Sequence, residues 1–197
     1  MKLFIKKLYL FITFLFVLPL IILFRLAPTT LKNSLFFSFS QLLSLFPGQT
    51  GSYIRVSFYH SAMSFCARDT RIHFATIFSQ PDTEINCRVY IGPQCNIGSC
   101  IIGADSLIAS GVHILSGKNQ HNFSDLNTPI QQQGGHYQKI KIGQDCWVGN
   151  GAIIMADIGD KCIVAAGSVV TKKVPDFSIV AGNPAKIIRS RKDESIF

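Results

Sequence analysis

The sequence predicts a parallel β-solenoid with an apolar helical segment ahead of it. Three observations carry that reading: an aliphatic residue recurring every six positions, one long polar interruption of the period, and an apolar excess confined to the N-terminal end. With 197 residues, the chain has room for one core and an attaching segment.

The N-terminal segment opens MKLFIKK and runs into an uninterrupted apolar stretch from Leu8 to Phe24, followed by Arg25. Roughly 17 residues make about 25 Å of helix, the lower limit for crossing a bilayer. No small-x-small cleavage pattern follows before Arg25, so the segment is expected to be a retained anchor, residues 1–26, rather than a cleaved signal. A second stretch, LKNSLFFSFSQLLSLF, has Ser34, Ser38, Gln41 and Ser44 at helical spacing, a polar stripe on an otherwise apolar helix. Pro47-Gly48 ends it. Residues 27–70 are thus expected to form an amphipathic helical region lying in the headgroup layer of a membrane.

The formal net charge is +8, but the basic residues form no block with interleaved aromatics and no nucleic-acid motif is present, so nucleic acid is not expected as a partner. The basic groups are the N-terminal lysines and a set comprising Lys172, Lys173, Lys186, Arg189, Arg191 and Lys192, suited to anionic lipid or to phosphates. The six cysteines contain no C-x-x-C pair. They read as small buried apolar residues in a reducing compartment.

The period of six is marked by Ile85, Ile91 and Ile97, then by Ile102, Ile108 and Ile114 after a one-residue deletion. It resumes at Ile142, Val148 and Ile154, and again at Ile158, Val164 and Val170. A small residue sits two positions ahead, as at Cys95, Cys100, Ser106, Cys146 and Cys162. Gly or Ala often follows, where it is expected to supply backbone freedom for a tight turn. Six residues are too few for a unit containing a helix but suit one short strand and a turn. Three units close a triangular coil, and stacked coils bury a continuous Ile/Val column.

These residues, above all IGPQCNIG, IGQDCWVGNGAII and VAAGSVVTKKVP followed by AGNPAKIIR, resemble the hexapeptide-repeat acyltransferases, which include galactoside, maltose and serine acetyltransferases and sugar O-acetyltransferases of surface-polysaccharide pathways. The resemblance spans about 71–189. It implies an all-β domain in the form of a left-handed parallel β-helix, against the usual right-handed crossover. It also implies a homotrimer with sites between subunits, and acetyl-CoA as cosubstrate. Residues 190–197 are left as a C-terminal tail.

The interruption, 117–139, is a long polar excursion, and such loops inside compact folds are usually functional. It holds His121 and His136, with His113 just upstream. Acyl transfer to an alcohol needs a base near neutrality, for which histidine is suited. The family places one catalytic histidine at the start of such an excursion, and His121 in GKNQHNFSDLNTPI matches it. His136, in GGHYQK, is assigned to the acceptor pocket. Asp125 reads either as a partner of His121 or as a turn former, and neither it nor His113 is given a role.

For the donor, the resemblance implies that Trp147 packs beside the pantetheine arm and that the Asn150 amide holds the thioester oxygen, an oxyanion donor. Ala166, Thr171 and Lys172 match nucleotide-side positions, and Lys186 and Arg189 match basic residues near the CoA phosphates. No metal is expected. Two other readings of the same scaffold are a zinc-dependent carbonic anhydrase type, which needs three gathered histidines, and a non-catalytic trimeric module. Lysines ahead of Leu8 favour a cytoplasmic N-terminus, so a full span would carry the domain away from cytosolic acetyl-CoA. A monotopic attachment at the cytoplasmic face is therefore expected, with a sugar hydroxyl of a polysaccharide or lipid-linked glycan precursor as acceptor.

Overall fold

The computed structural model describes residues 2–193; the last four residues of the predicted tail, and the side chains ahead of Leu8 with the flanking lysines, lie outside the described residues. Three helices, α1 (Lys2–Leu26), α2 (Thr29–Ser44) and α3 (Gly48–Ala62), precede a β-solenoid of six coils. Its strands are two or three residues long, except the last two of four and five residues, and all but the last stack in parallel register into three faces. The first face holds Phe65–Cys66, Glu84–Ile85, Cys100–Ile102 and Ile140–Ile142. The second runs from Arg71–Ile72 through Tyr90–Ile91, Leu107–Ile108, Trp147–Val148 and Ile163–Val164 to Ser178–Ala181, and is closed by the antiparallel strand Lys186–Ser190. The third holds Ile77–Phe78, Asn96–Ile97, His113–Ile114, Ile153–Ile154 and Val169–Val170.

Every aliphatic residue that marks the period points inward and is at most 2 % exposed. Burial of each such side chain contributes on the order of 1.5–3 kcal/mol, and the columns continue without a break from coil to coil. Cys95, Cys100, Cys146 and Cys162 fill the slot two positions ahead and are buried free thiols.

The glycine after the aliphatic residue serves a different purpose from the one expected. Positive φ falls three positions before the inward residue, at Ala75, Arg88, Gln94, Asp105, Asp145, Lys161 and Phe177. Gly92 is there because successive turns stack closely: a Cβ on it would lie 2.8 Å from the Ala109 carbonyl carbon in the next coil.

The solenoid begins at Phe65, six residues ahead of the expected boundary, because Cys66, Ile72 and Phe78 build a complete first coil. The helical region also contains a separate helix after Pro47-Gly48. α3 is buried on most of its circumference, between α1 and the first coil, so its small polar residues form no stripe to read. The tight α2–α3 turn depends on Gly51, where a Cβ would overlap the Phe46 carbonyl oxygen.

The helices cap the open edge of the solenoid. A terminal coil presents unpaired N–H and C=O groups, as any sheet edge does. Here Ser52 Oγ accepts the Ile72 N–H at 3.2 Å and Ser40 Oγ accepts the Phe78 N–H at 2.8 Å. Arg55 Nε donates to the Ile72 carbonyl at 3.0 Å, and His60 Nδ1 bonds the Cys66 carbonyl at 2.7 Å. Each capping side chain comes from α2 or α3.

On the other side, α1 lies along this cap. Tyr9 and Thr50 hydroxyls are 2.6 Å apart, Thr13 and Ser57 hydroxyls 3.0 Å, and Arg25 donates to the Ser61 carbonyl at 2.6 Å. Val17, Ile21 and Phe24 turn inward, while Phe11, Ile12, Leu15, Phe16, Ile22 and Leu23 are exposed. The helix is long and apolar enough, from Leu8 to Leu26, to cross a membrane by length and composition.

Candidate active site

The excursion leaves the third face after Ile114 and returns on the first at Ile140. Stacking is undisturbed, since Ile140, Lys141 and Ile142 pair with Cys100, Ile101 and Ile102. Ser116 Oγ pins the outgoing end by accepting the Ser99 N–H at 2.9 Å, and a Lys139–Glu84 ion pair at 2.6 Å pins the returning end.

Between these roots the two limbs run alongside each other in opposite directions. The N–H groups of Gln138, His136 and Asn122 donate to the carbonyls of Ser116, Asn119 and Gly134 at 2.9, 2.7 and 2.9 Å. The loop is thus an ordered arm, 25 residues in length between Ile114 and Ile140. Gly135 lets the limbs approach, for a Cβ on it would overlap the Gln120 carbonyl oxygen and lie 2.8 Å from the His121 nitrogen. The backbone ladder therefore sets His121 opposite the Gly134–Gly135 segment and His136 opposite Asn119.

His121 and His136 are both exposed, and neither ring forms a hydrogen bond among the described residues. Asp125 is a turn former: its carboxylate accepts the Asn127 N–H at 2.9 Å and the Thr128 hydroxyl at 2.6 Å. These bonds, the Thr128 hydroxyl first, hold it below the usual carboxylate range. Gln133 braces the tip through the Asp125 and Thr128 carbonyls, both at 2.7 Å.

Beside the outgoing limb lies a depression of about 500 Å³, whose lining includes Asn96, His113, Ser116, Gln120, Ile153 and Phe37 of α2. His113 stands in the outward column of the third face between Asn96 and Ile153. Gln120 adjoins His121 and could have been singled out in the sequence; Phe37 could not, because nothing local shows that α2 reaches the solenoid flank.

Trp147 projects from the second face, 52 % exposed, in an outward column with Tyr90, Leu107, Ile163 and Ile179. Arg189 pairs with Ile179 at the end of that column, and Lys186 pairs with Ala181. Asn150 and Ala166 occupy the corner between the second and third faces, with the Asn150 carbonyl accepting the Gly167 N–H at 2.8 Å. The N–H groups of Asn150 and Ala166 have no partner among the described residues. Pro93 fills the same turn position in the second coil, so the fold makes no use of this N–H. Thr171 and Lys172 lie at the corner between the third and first faces, two coils above the loop root. Lys172, Lys186 and Arg189 are exposed and form no ion pair among the described residues.

One chain therefore brings Trp147, Arg189 and Lys186 to the second face, with Asn150 and Ala166 at its edge. His121 and His136 rise from the opposite edge of the third face. An exposed aromatic, free amides and unpaired cations fit a thioester donor bearing phosphates. Among the described residues, no three His, Cys, Asp or Glu side chains form a metal-binding group.

Residues 139–172, which hold Trp147, Asn150, Ala166, Thr171 and Lys172, match the hexapeptide repeat of succinyl-transferase. The solenoid has the left-handed β-helix fold. That fold is shared with a hexapeptide-repeat-containing acetyltransferase from Vibrio cholerae, at 20% identity over 82% of this chain and 94% of that one, TM-score 0.69. The Vibrio protein complexed with acetyl coenzyme A matches at 19% identity, over 84% and 91% of the two chains, TM-score 0.68. A maltose O-acetyltransferase from Clostridium difficile 630 matches at 18% identity over 80% and 87%, TM-score 0.54. No curated protein matches the chain.

Proposed function

We propose that this protein is an acetyl-CoA-dependent O-acetyltransferase acting on a sugar hydroxyl, with His121 as general base. The observation that carries the reading is the ordered arm bearing His121, inserted between the third and fourth coils of a solenoid whose fold is shared with acetyltransferases. His121 takes the proton from the acceptor hydroxyl as the oxygen attacks the thioester carbonyl. The Asn150 N–H receives the developing oxyanion, and His121 returns the proton to the departing thiolate as the C–S bond breaks. Lys172, Lys186 and Arg189 hold donor phosphates, and the depression at Asn96 and Gln120, with His136 nearby, takes the acceptor.

The active assembly is a trimer with each site shared between subunits. Supporting this, His121 and Trp147 stand on different sides of one chain, and the outward Tyr90–Leu107–Trp147–Ile163 stripe, with Leu107 and Trp147 exposed, is apolar enough to be an interface. Mixing inactive His121→Ala and Trp147→Ala chains before assembly should restore part of the activity; mixtures as dead as their components would refute shared sites.

The helical layer attaches the protein to the cytoplasmic face of a membrane without crossing it, which suits an acceptor glycan carried on a lipid. The support is that α1 is docked on the cap from Tyr9 to Arg25 while its outer face is bare and apolar. Protection of the C-terminus from protease added on the cytoplasmic side would rule this out.

The decisive assay is thiol release from acetyl-CoA by the detergent-purified protein with a panel of sugar acceptors. Acceptor-dependent release should fall about 10²- to 10⁴-fold in His121→Ala, with thermal stability unchanged because the ring is exposed. Full activity in that variant would remove His121 from the mechanism.

A further inference from the structure

At the seam between the helical layer and the first coil, two depressions meet at one side chain. The first, about 470 Å³, runs between α1 and α3 and is lined by Leu10, Phe11, Phe14 and Val56, with Ser57, His60 and Arg68 as its polar residues. The second, about 250 Å³, is lined by polar groups including Gln49, Tyr53, Thr70 and Arg71. Arg68 lines both. Arg68 and Arg71 are exposed and form no ion pair or side-chain hydrogen bond among the described residues. The one carboxylate lining the polar depression, Asp69, already accepts the Arg88 N–H at 3.2 Å. The apolar groove is continuous with the bare face of α1, since Phe11 lines the groove and is 58 % exposed.

We propose that this seam is a binding slot for one anionic phospholipid. An acyl chain lies in the groove along Leu10, Phe14 and Val56, the phosphate meets Arg68 at the junction, and the headgroup occupies the polar depression beside Arg71. Three features select that chemistry together. The groove is apolar along Leu10, Phe14 and Val56, its Ser57 hydroxyl and His60 Nδ1 are already bonded to Thr13 and the Cys66 carbonyl, and an unpaired guanidinium stands where it meets the polar depression. A guanidinium binds phosphate oxygens through paired N–H donors. A zwitterionic lipid would bring its choline cation against Arg68 and Arg71 along with its phosphate, and a soluble phosphate would leave the apolar groove unfilled. The slot lies at the opposite end of the solenoid from Lys186 and Arg189 and stands without the acetyl-transfer reading. It shares with the proposed membrane attachment only the outer face of α1.

The test titrates dimyristoyl-phosphatidylglycerol or dimyristoyl-phosphatidylcholine into the full-length, detergent-solubilised protein and counts bound lipid by native mass spectrometry. One tightly held phosphatidylglycerol per chain is expected, in preference to phosphatidylcholine. Arg68→Gln should weaken phosphatidylglycerol about fivefold or more, as loss of one cation near an anionic headgroup does. Leu10→Trp, which fills the groove with apolar bulk, should abolish the single tight site. Lys141→Gln, the same charge change at an exposed site on the first face, should leave it intact.

Statistical uptake of both lipids, or equal weakening by Lys141→Gln, would overturn the slot in favour of bulk charge attraction. Displacement of the lipid by inorganic phosphate at comparable concentration would overturn the role of the groove. Flotation with phosphatidylcholine vesicles tests the attachment separately: failure to float refutes attachment by α1, while a bound phosphatidylglycerol would still establish the slot.

Discussion

Arg55 is the clearest point at which to break the cap. Its guanidinium is fully buried, and Nη1 donates to the carbonyls of Phe46, Leu43 and Ser44 at 2.8, 3.1 and 3.3 Å while Nε donates to Ile72. The Leu43 and Ser44 carbonyls have second donors, from the N–H groups of Phe46 and Ala75. Those of Phe46 and Ile72 have none among the described residues, so Arg55→Met strands two buried acceptors. Each costs about 1–3 kcal/mol. Against this stands the release of a desolvated cation, whose pKa burial lowers and whose Nη2 has no partner, a relief on the order of 1 kcal/mol or more. The net expectation is a loss of about 2–4 kcal/mol, or roughly 5–15 °C in melting temperature for a chain of this size. Thermal unfolding followed by circular dichroism in detergent measures it. A melting temperature within 2 °C of wild type would mean that the edge is satisfied without Arg55, and the account of the helices as a cap would fail.

Gly135→Ala should push the Gln120–His121 peptide away from the returning limb, lowering kcat about tenfold or more with little change in melting temperature; unchanged kcat would detach loop geometry from catalysis. A maleimide should label one cysteine quickly in the native protein, Cys87, and all six in denaturant, because the other five are buried and burial pushes the Cys66 thiol up to about 12. Rapid labelling of any second cysteine, read by mass spectrometry, would contradict the packing. The His73 pKa is lowered by burial and by Arg55 and Arg71, so the unfolded chain takes up that proton first as pH falls. Its neutral form thus contributes stability above about 6.5 that is lost as pH drops through the folded value. The melting temperature of His73→Gln should therefore vary less with pH below about 6.5 than that of wild type, and an identical profile would assign the titration elsewhere.

Four of the six coils were legible because one inward position repeats one chemistry: Ile or Val at 85, 91, 97 and onward to 170. The first coil was not, since Cys66, Ile72 and Phe78 share neither size nor a following glycine, and the seven-residue step from Phe78 to Ile85 breaks the period. Its lower edge packs on helices rather than on another coil, so the constraints that repeat elsewhere do not apply there. The glycines themselves were visible but misattributed, because close approach between coils leaves the same letter in the sequence as a need for positive φ. In the loop, residue type pointed to His121. The bonds that order the arm run between backbone groups, as at His136 and Asn119, and such bonds leave almost no trace in side-chain identity.

The largest difference concerns the N-terminal helices, which sequence alone casts as an attachment to an otherwise complete domain. Ser40, Ser52, Arg55 and His60 each satisfy a polar group on the first coil's edge, so α2 and α3 belong to the folding unit. α1 covers that layer in turn, and its two faces meet different surroundings: Val17, Ile21 and Phe24 pack inward, while Phe11, Leu15 and Phe16 remain bare. The polar stripe of α2, which reads as a helix face turned to headgroups, divides between these tasks, with Ser38 bonding its own helix at Ser34 and Ser44 accepting the Ala75 N–H through its carbonyl. A chain shortened to begin at the first coil would expose an unpaired strand edge and the apolar underside of Ile72 and Phe78, the combination that drives strands of separate chains to associate. Solubility gained by deleting the apolar helix would therefore be offset by aggregation at the uncapped end if the deletion passes Ser40.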